Sequence, residues 1–151
     1  MKIGIASDHN GFELKKNIIN ILSNKYGIVD CGNTIYDKND DYPVYAFNLA
    51  RRVSKKEVDF GLAICGSGIG ISIACNKVKN IRCAKVENIN EAKYTRIDND
   101  ANIVAISSNT SLIDAINILE TFINTPFSNE ERHQRRINMI IKYENGEYNE
   151  L

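Results

Sequence analysis

Short runs of apolar, β-branched residues alternate along the chain with longer stretches in which apolar positions recur at the spacing of a helix. The short runs predict five strands, at residues 2–6, 27–31, 60–65, 81–86 and 102–106. The longer stretches predict six helices, at residues 12–25, 44–55, 69–77, 89–97, 111–124 and 129–143. Regular alternation of strand and helix indicates a parallel sheet with right-handed crossovers. We therefore expect a three-layer, Rossmann-like α/β fold with helices on both faces of a five-stranded parallel sheet.

The pattern also predicts which helix faces are buried. In the first helix Phe12, Ile19 and Leu22 sort onto an apolar face, and Lys15 and Lys16 sort onto a charged face. The last helix follows the fifth strand and therefore has no strand of its own to cover. Because it still carries apolar side chains, we expect this additional C-terminal helix to pack on another subunit. Residues 1–143 then form a single domain, and residues 144–151 form a polar C-terminal tail.

Composition and charge narrow the possible partners. The 151 residues include 19 Lys and Arg against 19 Asp and Glu, so overall attraction to nucleic acid or to an anionic membrane is not expected. No charged and apolar leader begins the chain and no apolar run approaches the roughly 20 residues that span a bilayer, so we expect a soluble, cytoplasmic protein. The four cysteines form no CxxC pair, which argues against a zinc site or a redox dithiol.

The strongest chemical signal is a thiol followed by a glycine-rich turn, at the junction of the third strand and the third helix. Cys65 ends the strand, and the turn that follows consists of Gly66, Ser67, Gly68, Ile69 and Gly70. Such a turn directs several backbone N–H groups into one small volume, which suits an anion. A helix N-terminus also favours a thiolate, so Cys65 could act as a base or nucleophile. The alternative is a small buried hydrophobe, which is how we interpret Cys31, Cys75 and Cys83.

The same glycines suggest a dinucleotide site, but the match is imperfect. Glu87 lies about 20 residues further on, near the position that would bind a ribose hydroxyl. However, Ile71 stands where the third glycine of GxGxxG belongs, and the motif follows the third strand instead of the first. We therefore disfavour a nucleotide cofactor.

Three further segments carry polar side chains that could contact a ligand. Asp8 and His9 follow the first strand at the edge where Cys65 lies, although Asp8 could equally cap a helix. Tyr42 follows two aspartates and precedes Pro43 at the start of a helix. Arg132 and Arg136 lie one turn apart on the last helix, where they could clamp a phosphate or form a solvated basic face.

Taken together, these motifs resemble the type B ribose-5-phosphate isomerase family, which also contains the subunits of galactose-6-phosphate isomerase. The resemblance extends from Lys2 to about Arg136. It rests on five segments in the family's order: Ser7-Asp8-His9-x-Gly11, Asp41-Tyr42-Pro43, Cys65-Gly66-Ser67-Gly68-Ile69-Gly70-Ile71-Ser72, Asn99-Asp100-Ala101-Asn102 and Arg132-His133-Gln134-x-Arg136.

The resemblance implies interconversion of an aldose phosphate and a ketose phosphate through a cis-enediolate, with neither metal nor nucleotide. Cys65 would be the base that moves a proton between C2 and C1. The backbone of the turn would stabilise the enediolate oxygen, with Ser67 at a position where the family has Thr or Ser. Four residues would contact hydroxyls or phosphate: Asp8, His9, Tyr42 and Asn99. Arg132 and Arg136 would come from the partner subunit of a homodimer or tetramer with a shared site.

The sequence departs from the family's pattern at two positions. Asp98 stands where the family usually has the histidine that opens the sugar ring, and Asn109 stands where an arginine often binds phosphate. One hypothesis is an active isomerase, ribose 5-phosphate being the first candidate, in which Asp98, a water or His9 assists ring opening. The alternative is a catalytically weak sugar-phosphate-binding protein, or one subunit of a hetero-oligomeric isomerase of the galactose-6-phosphate type.

Overall fold

Five strands and six helices follow one another in a computed structural model that describes residues 1–148. The strands are β1 (Lys2–Ser7), β2 (Gly27–Asp30), β3 (Phe60–Cys65), β4 (Cys83–Lys85) and β5 (Ile103–Ser107). The helices are α1 (Phe12–Leu22), α2 (Tyr42–Ser54), α3 (Ile69–Cys75), α4 (Ile89–Asn99), α5 (Leu112–Asn124) and α6 (Glu131–Glu144). All strand pairs are parallel, in the order β2-β1-β3-β5-β4. The predicted three-layer α/β fold with an additional C-terminal helix is confirmed.

The two faces of the sheet differ in the size of their side chains. Leu62 and Ile64 of β3 point to the face covered by α1 and α5, where they join a core of large aliphatic side chains. Gly61, Ala63 and Cys65 alternate with them and face α2 and α3. These small residues let α2 approach closely: a Cβ at Gly61 would lie 3.1 Å from Leu49. The period of two in the sequence therefore places the Cys65 side chain under α2 and α3.

The end of α4 lies at the edge of the sheet opposite Cys65. Cys65 pairs in register with Ser107 at the carboxyl end of β5. At the amino end of β5, Asn102 bonds to the carbonyl of Arg82, and the Arg82 side chain binds the carbonyl of Asn99 at 2.9 Å. The five residues of β5 span roughly 16 Å at about 3.3 Å a residue. Residues at the end of α4 are thus separated from Cys65 by about the length of a strand.

The last helix, α6, packs against α4. Ser128, just before α6, donates its backbone N–H to the carbonyl of Ile97. Ile137 is buried, whereas Met139, Ile140 and Tyr143 stay exposed. The predicted polar tail falls partly outside the described residues, so its extent stays a prediction. Within residues 1–148, no helix is long and apolar enough to cross a membrane.

Several predicted details are wrong. Lys15 is not on a solvated face: its side chain is 2% exposed, and Nζ lies 2.6 and 2.7 Å from the two carboxylate oxygens of Asp30. The face of α1 that was predicted to be charged and solvated therefore contains a buried lysine, which is paired with Asp30. β4 covers only Cys83–Lys85 instead of residues 81–86. The side chain of Asn76 binds the N–H and the carbonyl of Cys83, so it caps the open edge of this strand. Helix α1 ends at Leu22, and α2 starts at Tyr42 with Pro43 in its first turn.

Candidate active site

Cys65 ends β3 and begins the glycine turn. The thiol is almost fully buried, and Sγ accepts a hydrogen bond from the backbone N–H of Gly68 at 3.2 Å. Gly68 adopts φ +78°, and a Cβ there would lie 2.8 Å from the carbonyl carbon of Ile106, so only glycine fits. An amide N–H directed at sulfur stabilises a thiolate more than a neutral thiol. The local fold therefore directs one backbone donor at the Cys65 sulfur, and its role as a base stays a prediction.

The remaining cysteines lack this setting. Burial raises the pKa of Cys31 to about 11. A hydrogen bond with Cys75, followed by burial, raises the pKa of Cys83 well above its ordinary value. Thiols with raised pKa values stay protonated near neutral pH. Cys31 and Cys75 are buried in the core, as predicted, whereas Cys83 is only partly buried and packs against it.

Side-chain hydroxyls hold the glycine turn in place. Ser107 donates its hydroxyl to the carbonyl of Gly66 at 2.7 Å. The Ser67 hydroxyl accepts a hydrogen bond from the backbone N–H of Ile69 at 3.2 Å. Ser67 itself is exposed at the tip of the turn. Its hydroxyl thus has a structural partner, and its part in catalysis stays a prediction.

Two neighbouring segments border the turn. The Tyr42 ring lies on Gly70, where an added Cβ would be 2.7 Å from Cζ and 3.0 Å from the hydroxyl oxygen. The Asn10 side-chain amide lies beside Gly66, 3.5 Å from the position of a Cβ. Tyr42 is partly exposed. The segments that follow β1 and precede α2 therefore meet the turn after β3 at one edge of the sheet.

Asp8 is a capping residue in the structure. Its Oδ1 accepts hydrogen bonds from the backbone N–H groups of Asn10 at 3.0 Å and Gly11 at 3.2 Å, and its Oδ2 accepts one from the Asn10 side chain. The side chain is buried. This arrangement closes a single 3-10 turn at His9–Gly11. Of the two alternatives for Asp8, the structure displays the cap, and contact with a sugar stays a prediction.

His9 is held by Asp40, a carboxylate that was not predicted as its partner. Asp40 Oδ1 lies 2.7 Å from His9 Nδ1 and accepts the His9 backbone N–H at 3.0 Å, while its Oδ2 accepts the side-chain amide of Asn33 at 2.7 Å. The hydrogen bond to Asp40 raises the pKa of His9, burial opposes this, and the negative charge of Asp8 adds to it. Burial acts to raise the pKa of Asp40, but hydrogen bonds from His9, Tyr45 and Asn33 outweigh it and lower that pKa. His9 is thereby biased towards its cationic form, which suits a phosphate.

We call Asp8, His9, Tyr42, Cys65 and the turn at residues 66–70 the carboxyl-edge cluster. Two of its members, Asp8 and His9, and the neighbouring Asp40 each place one possible metal-ligand atom within 4.8 Å of the others. Their hydrogen bonds to the backbone and to one another account for this proximity without an ion.

A second group of predicted residues lines a cleft of about 810 Å³ between α4 and α6. Asp98, Asn99, His133 and Arg136 all border it, and we call it the α4–α6 cleft. His133 Nε2 lies 3.4 Å from Asp98 Oδ1. Arg132, the residue before His133, pairs with Glu130 at 3.0 Å and directs its Nε at His133 Nε2 at 3.3 Å.

Within one chain the structure does not bring these two groups together. The carboxyl-edge cluster lies where β1 and β3 end, and the α4–α6 cleft lies near the amino end of β5. Asn99, predicted as a sugar contact together with Asp8, His9 and Tyr42, is in fact grouped with the arginines. The physical reason is that a crossover helix runs antiparallel to its strands, so the end of α4 returns to the amino edge.

Sequence reasoning missed Asp40, Asn33 and the contact between His133 and Asp98. The sequence did contain a signal for Asp40. Two adjacent aspartates precede α2, but a helix uses only one side chain as its N-cap, so the other aspartate is free to bind elsewhere. Asp41 occupies the N-cap position without a side-chain hydrogen bond, and Asp40 turns to His9. The contact between His133 and Asp98 has no local signal, because it depends on how α6 packs on α4.

Comparison with known proteins agrees with the order of these segments. The Ribose/Galactose Isomerase family matches residues 3–140. A probable ribose-5-phosphate isomerase B of Mycoplasma genitalium is 42% identical over 145 residues, which cover 94% of this chain and 95% of that protein.

Solved structures give the same result. The ribose-5-phosphate isomerase B of Clostridium thermocellum superposes with a TM-score of 0.91 at 39% identity, over 97% of this chain and 99% of that one. The ribose-5-phosphate isomerase B of Mycoplasma genitalium with bound ribulose-5-phosphate superposes with a TM-score of 0.90 at 41% identity, over 95% and 96% of the two chains. The predicted resemblance is confirmed, and the chain is an isomerase that belongs to the Ribose/Galactose Isomerase family.

Proposed function

We propose that this chain interconverts ribose 5-phosphate and ribulose 5-phosphate, with Cys65 as the base. Sugar-phosphate isomerisation follows from its family; the particular sugar and the thiol base are our proposal. A relative 41% identical to this chain has been solved with ribulose 5-phosphate bound. The observation that carries the thiol base is the hydrogen bond from the Gly68 amide to Cys65 Sγ at the end of β3.

The chemistry requires one base that serves two adjacent carbons. The Cys65 thiolate removes the proton from C2 of the open-chain aldose, and the C–H electron pair forms the double bond of an enediolate whose charge rests on O1. The proton of the C2 hydroxyl moves to O1, the thiol returns its proton to C1, and a ketone remains at C2. Amides of the glycine turn would stabilise the charge on O1 during this exchange.

Phosphate binding calls for cations, and the candidates lie in both clusters. His9, with a raised pKa, supplies positive charge near the carboxyl edge. Arg132 and Arg136 lie one turn apart on α6, where their forked donors match phosphate oxygens. Asn99 beside Arg136 supplies an amide for a sugar hydroxyl.

We propose that two copies of the chain form each site, in a homodimer or a tetramer of such dimers. One copy supplies the carboxyl-edge cluster, and its partner supplies the α4–α6 cleft with Asp98, Asn99 and the two arginines. The separation of about 16 Å within one chain supports this arrangement. Exposed apolar side chains also surround the turn after Cys65, among them Val44, Ile69 and Ile73. A second subunit would remove these side chains from water.

A second candidate function rests on Asp98 and Asn109. With a carboxylate and an amide at positions where the family has His and often Arg, the chain could bind sugar phosphates with little turnover, or need a different partner subunit. Calorimetry with ribose 5-phosphate, run beside a turnover assay, separates the two functions: tight binding with negligible turnover by the homo-oligomer favours this second candidate.

The direct test follows the conversion of ribose 5-phosphate to ribulose 5-phosphate by NMR. We expect conversion by the wild type and a loss of at least about 100-fold in Cys65→Ala, because a positioned base contributes on that order. Cys31→Ala, which removes a buried thiol just after β2, is the matched control and should keep the wild-type rate. An active Cys65→Ala variant would refute the thiol base, and a wild type that converts neither sugar would refute the proposed function.

A further inference from the structure

The proposed reaction requires ring opening only when it starts from ribose 5-phosphate. Ribose 5-phosphate has a free 4-hydroxyl that closes onto C1, so the sugar must be opened before its C1 carbonyl can acidify the hydrogen at C2. Ribulose 5-phosphate carries its phosphate on the oxygen that would close a five-membered ring, so it stays open. An isomerase therefore needs an acid and a base for the aldose that it does not need for the ketose.

The α4–α6 cleft contains a pair with this chemistry. The Asp98 side chain is 41% exposed at the cleft, and the His133 side chain behind it is 7% exposed, with Nε2 3.4 Å from Asp98 Oδ1. Both residues line the cleft together with Asn99 and Arg136. A carboxylate in contact with the solvent side of a buried imidazole can exchange a proton with it and with a bound sugar.

Three charged groups surround His133 Nε2, and Arg132 is one of them. Arg132 Nε donates to this nitrogen at 3.3 Å, while the carboxylates of Asp98 and Glu130 lie 3.4 and 4.0 Å away. Arg136 faces the same cleft from the next turn of α6. Arg132 therefore occupies the position from which a sugar oxygen would approach Nε2. When a phosphate binds the Arg132 guanidinium instead, Nε2 becomes open to the sugar.

We propose that His133 and Asp98 open the sugar ring, with His133 as the acid and Asp98 as the base; this inference rests on the proposed function. Asp98 accepts the proton of the anomeric hydroxyl, and the O–H electron pair forms the C1 carbonyl. The bond between C1 and the ring oxygen breaks, its electron pair stays on the ring oxygen, and His133 Nε2 protonates that oxygen. Asp98 then passes its proton to His133, which restores the pair with no net change.

The test compares a reaction that needs ring opening with one that does not. Conversion of ribose 5-phosphate needs the pair. Exchange of a C1 hydrogen of ribulose 5-phosphate with deuterated water reports formation of the enediolate and never passes through the ring. In His133→Asn and Asp98→Asn we expect conversion at limiting enzyme to fall by about 100-fold, while deuterium exchange continues close to the wild-type rate. Arg135→Gln, on the exposed side of α6 away from the cleft, is the control and should change neither.

The two variants guard against a merely structural effect. His133 is buried, so its removal could disturb α6 and the arginines, and both reactions would then fall together. Asp98 is exposed, and its change to Asn preserves shape. Equal loss of both reactions in the two variants, or unchanged conversion in Asp98→Asn, would overturn the proposal. A wild type inactive in both reactions would instead refute the proposed function.

Discussion

The buried pair of Lys15 and Asp30 offers a stability prediction that can be worked from the structure. Lys15 Nζ makes three hydrogen bonds, two to the carboxylate of Asp30 and one to the carbonyl of Asn33 at 2.8 Å. Its alkyl chain is covered by protein. Lys15→Met keeps most of this packing and removes the charge, so Asp30 and the Asn33 carbonyl lose their donor. The same Asn33 holds Asp40, which in turn holds His9.

The expected cost follows from how much of the pair is buried. Removing one member of a fully buried ion pair costs about 3–5 kcal/mol. Asp30 is about one third exposed and also accepts the backbone N–H of Gly32, so water and the backbone can compensate part of the loss. We therefore expect a cost near the lower end, about 3 kcal/mol. For a chain of this length that corresponds to a fall in Tm of about 6–12 °C.

Urea and thermal unfolding, followed by circular dichroism, measure this loss. Lys16→Met, a change of the exposed neighbouring lysine, is the matched control and should stay within about 0.5 kcal/mol of the wild type. In an Asp30→Asn background, Lys15→Met should cost less than it does alone, because the unpaired charge is gone. Equal stability of Lys15→Met and Lys16→Met would refute the reasoning.

Three further predictions test other parts of the site. Asp40→Asn removes the hydrogen bond that raises the pKa of His9, so the pKa of His9 should fall towards 6.5 in an NMR titration. In the wild type, charged His9 adds stability below its ordinary pKa, and this stability is lost as the pH rises through the raised pKa. The variant should lack this pH-dependent stability. An unchanged His9 titration would show that Asp40 is not its main partner. Gly68→Ala should lower the unfolding free energy by about 1–3 kcal/mol through its positive φ, whereas Gly66→Ala, which has room for a Cβ, should cost less; similar denaturation midpoints would contradict this. Ile73→Glu should give folded, inactive monomers by sedimentation, whereas the equally exposed Ile113→Glu on α5 should not; an active Ile73→Glu monomer would contradict a shared site.

The sequence predicted best what depends on neighbours along the chain. The order of strands and helices, and the thiol, turn and helix at residues 65–70, follow from local periodicity and from glycine in a left-handed conformation. Burial of Lys15 could not be predicted, because its partner Asp30 lies on another element and a lysine usually favours water. The same holds for His133, whose contact with Asp98 depends on the packing of α6 on α4.

The separation of the carboxyl-edge cluster from the α4–α6 cleft could have been predicted from the sequence. A helix that links two parallel strands must end at the amino edge of the sheet, which places Asp98 and Asn99 far from Cys65. Asn99 can therefore share a ligand with Asp8 and His9 only if they belong to two different chains. The surfaces that would meet in the oligomer carry exposed apolar side chains such as Ile69 and Ile73. These could not be recognised in the sequence, because apolar residues at such positions are ordinary in an amphipathic helix.

Subunit complementation tests the shared site most directly. Cys65→Ala and Arg136→Ala are each expected to be inactive, because every homodimeric site then lacks one group. In a mixed dimer, one site combines the intact Cys65 of one chain with the intact Arg136 of the other. Co-refolding equal amounts should therefore restore about one quarter of the wild-type activity, since about half of the dimers are mixed and each has one complete site. No recovery in mixed dimers confirmed by mass spectrometry would contradict a site built from two chains.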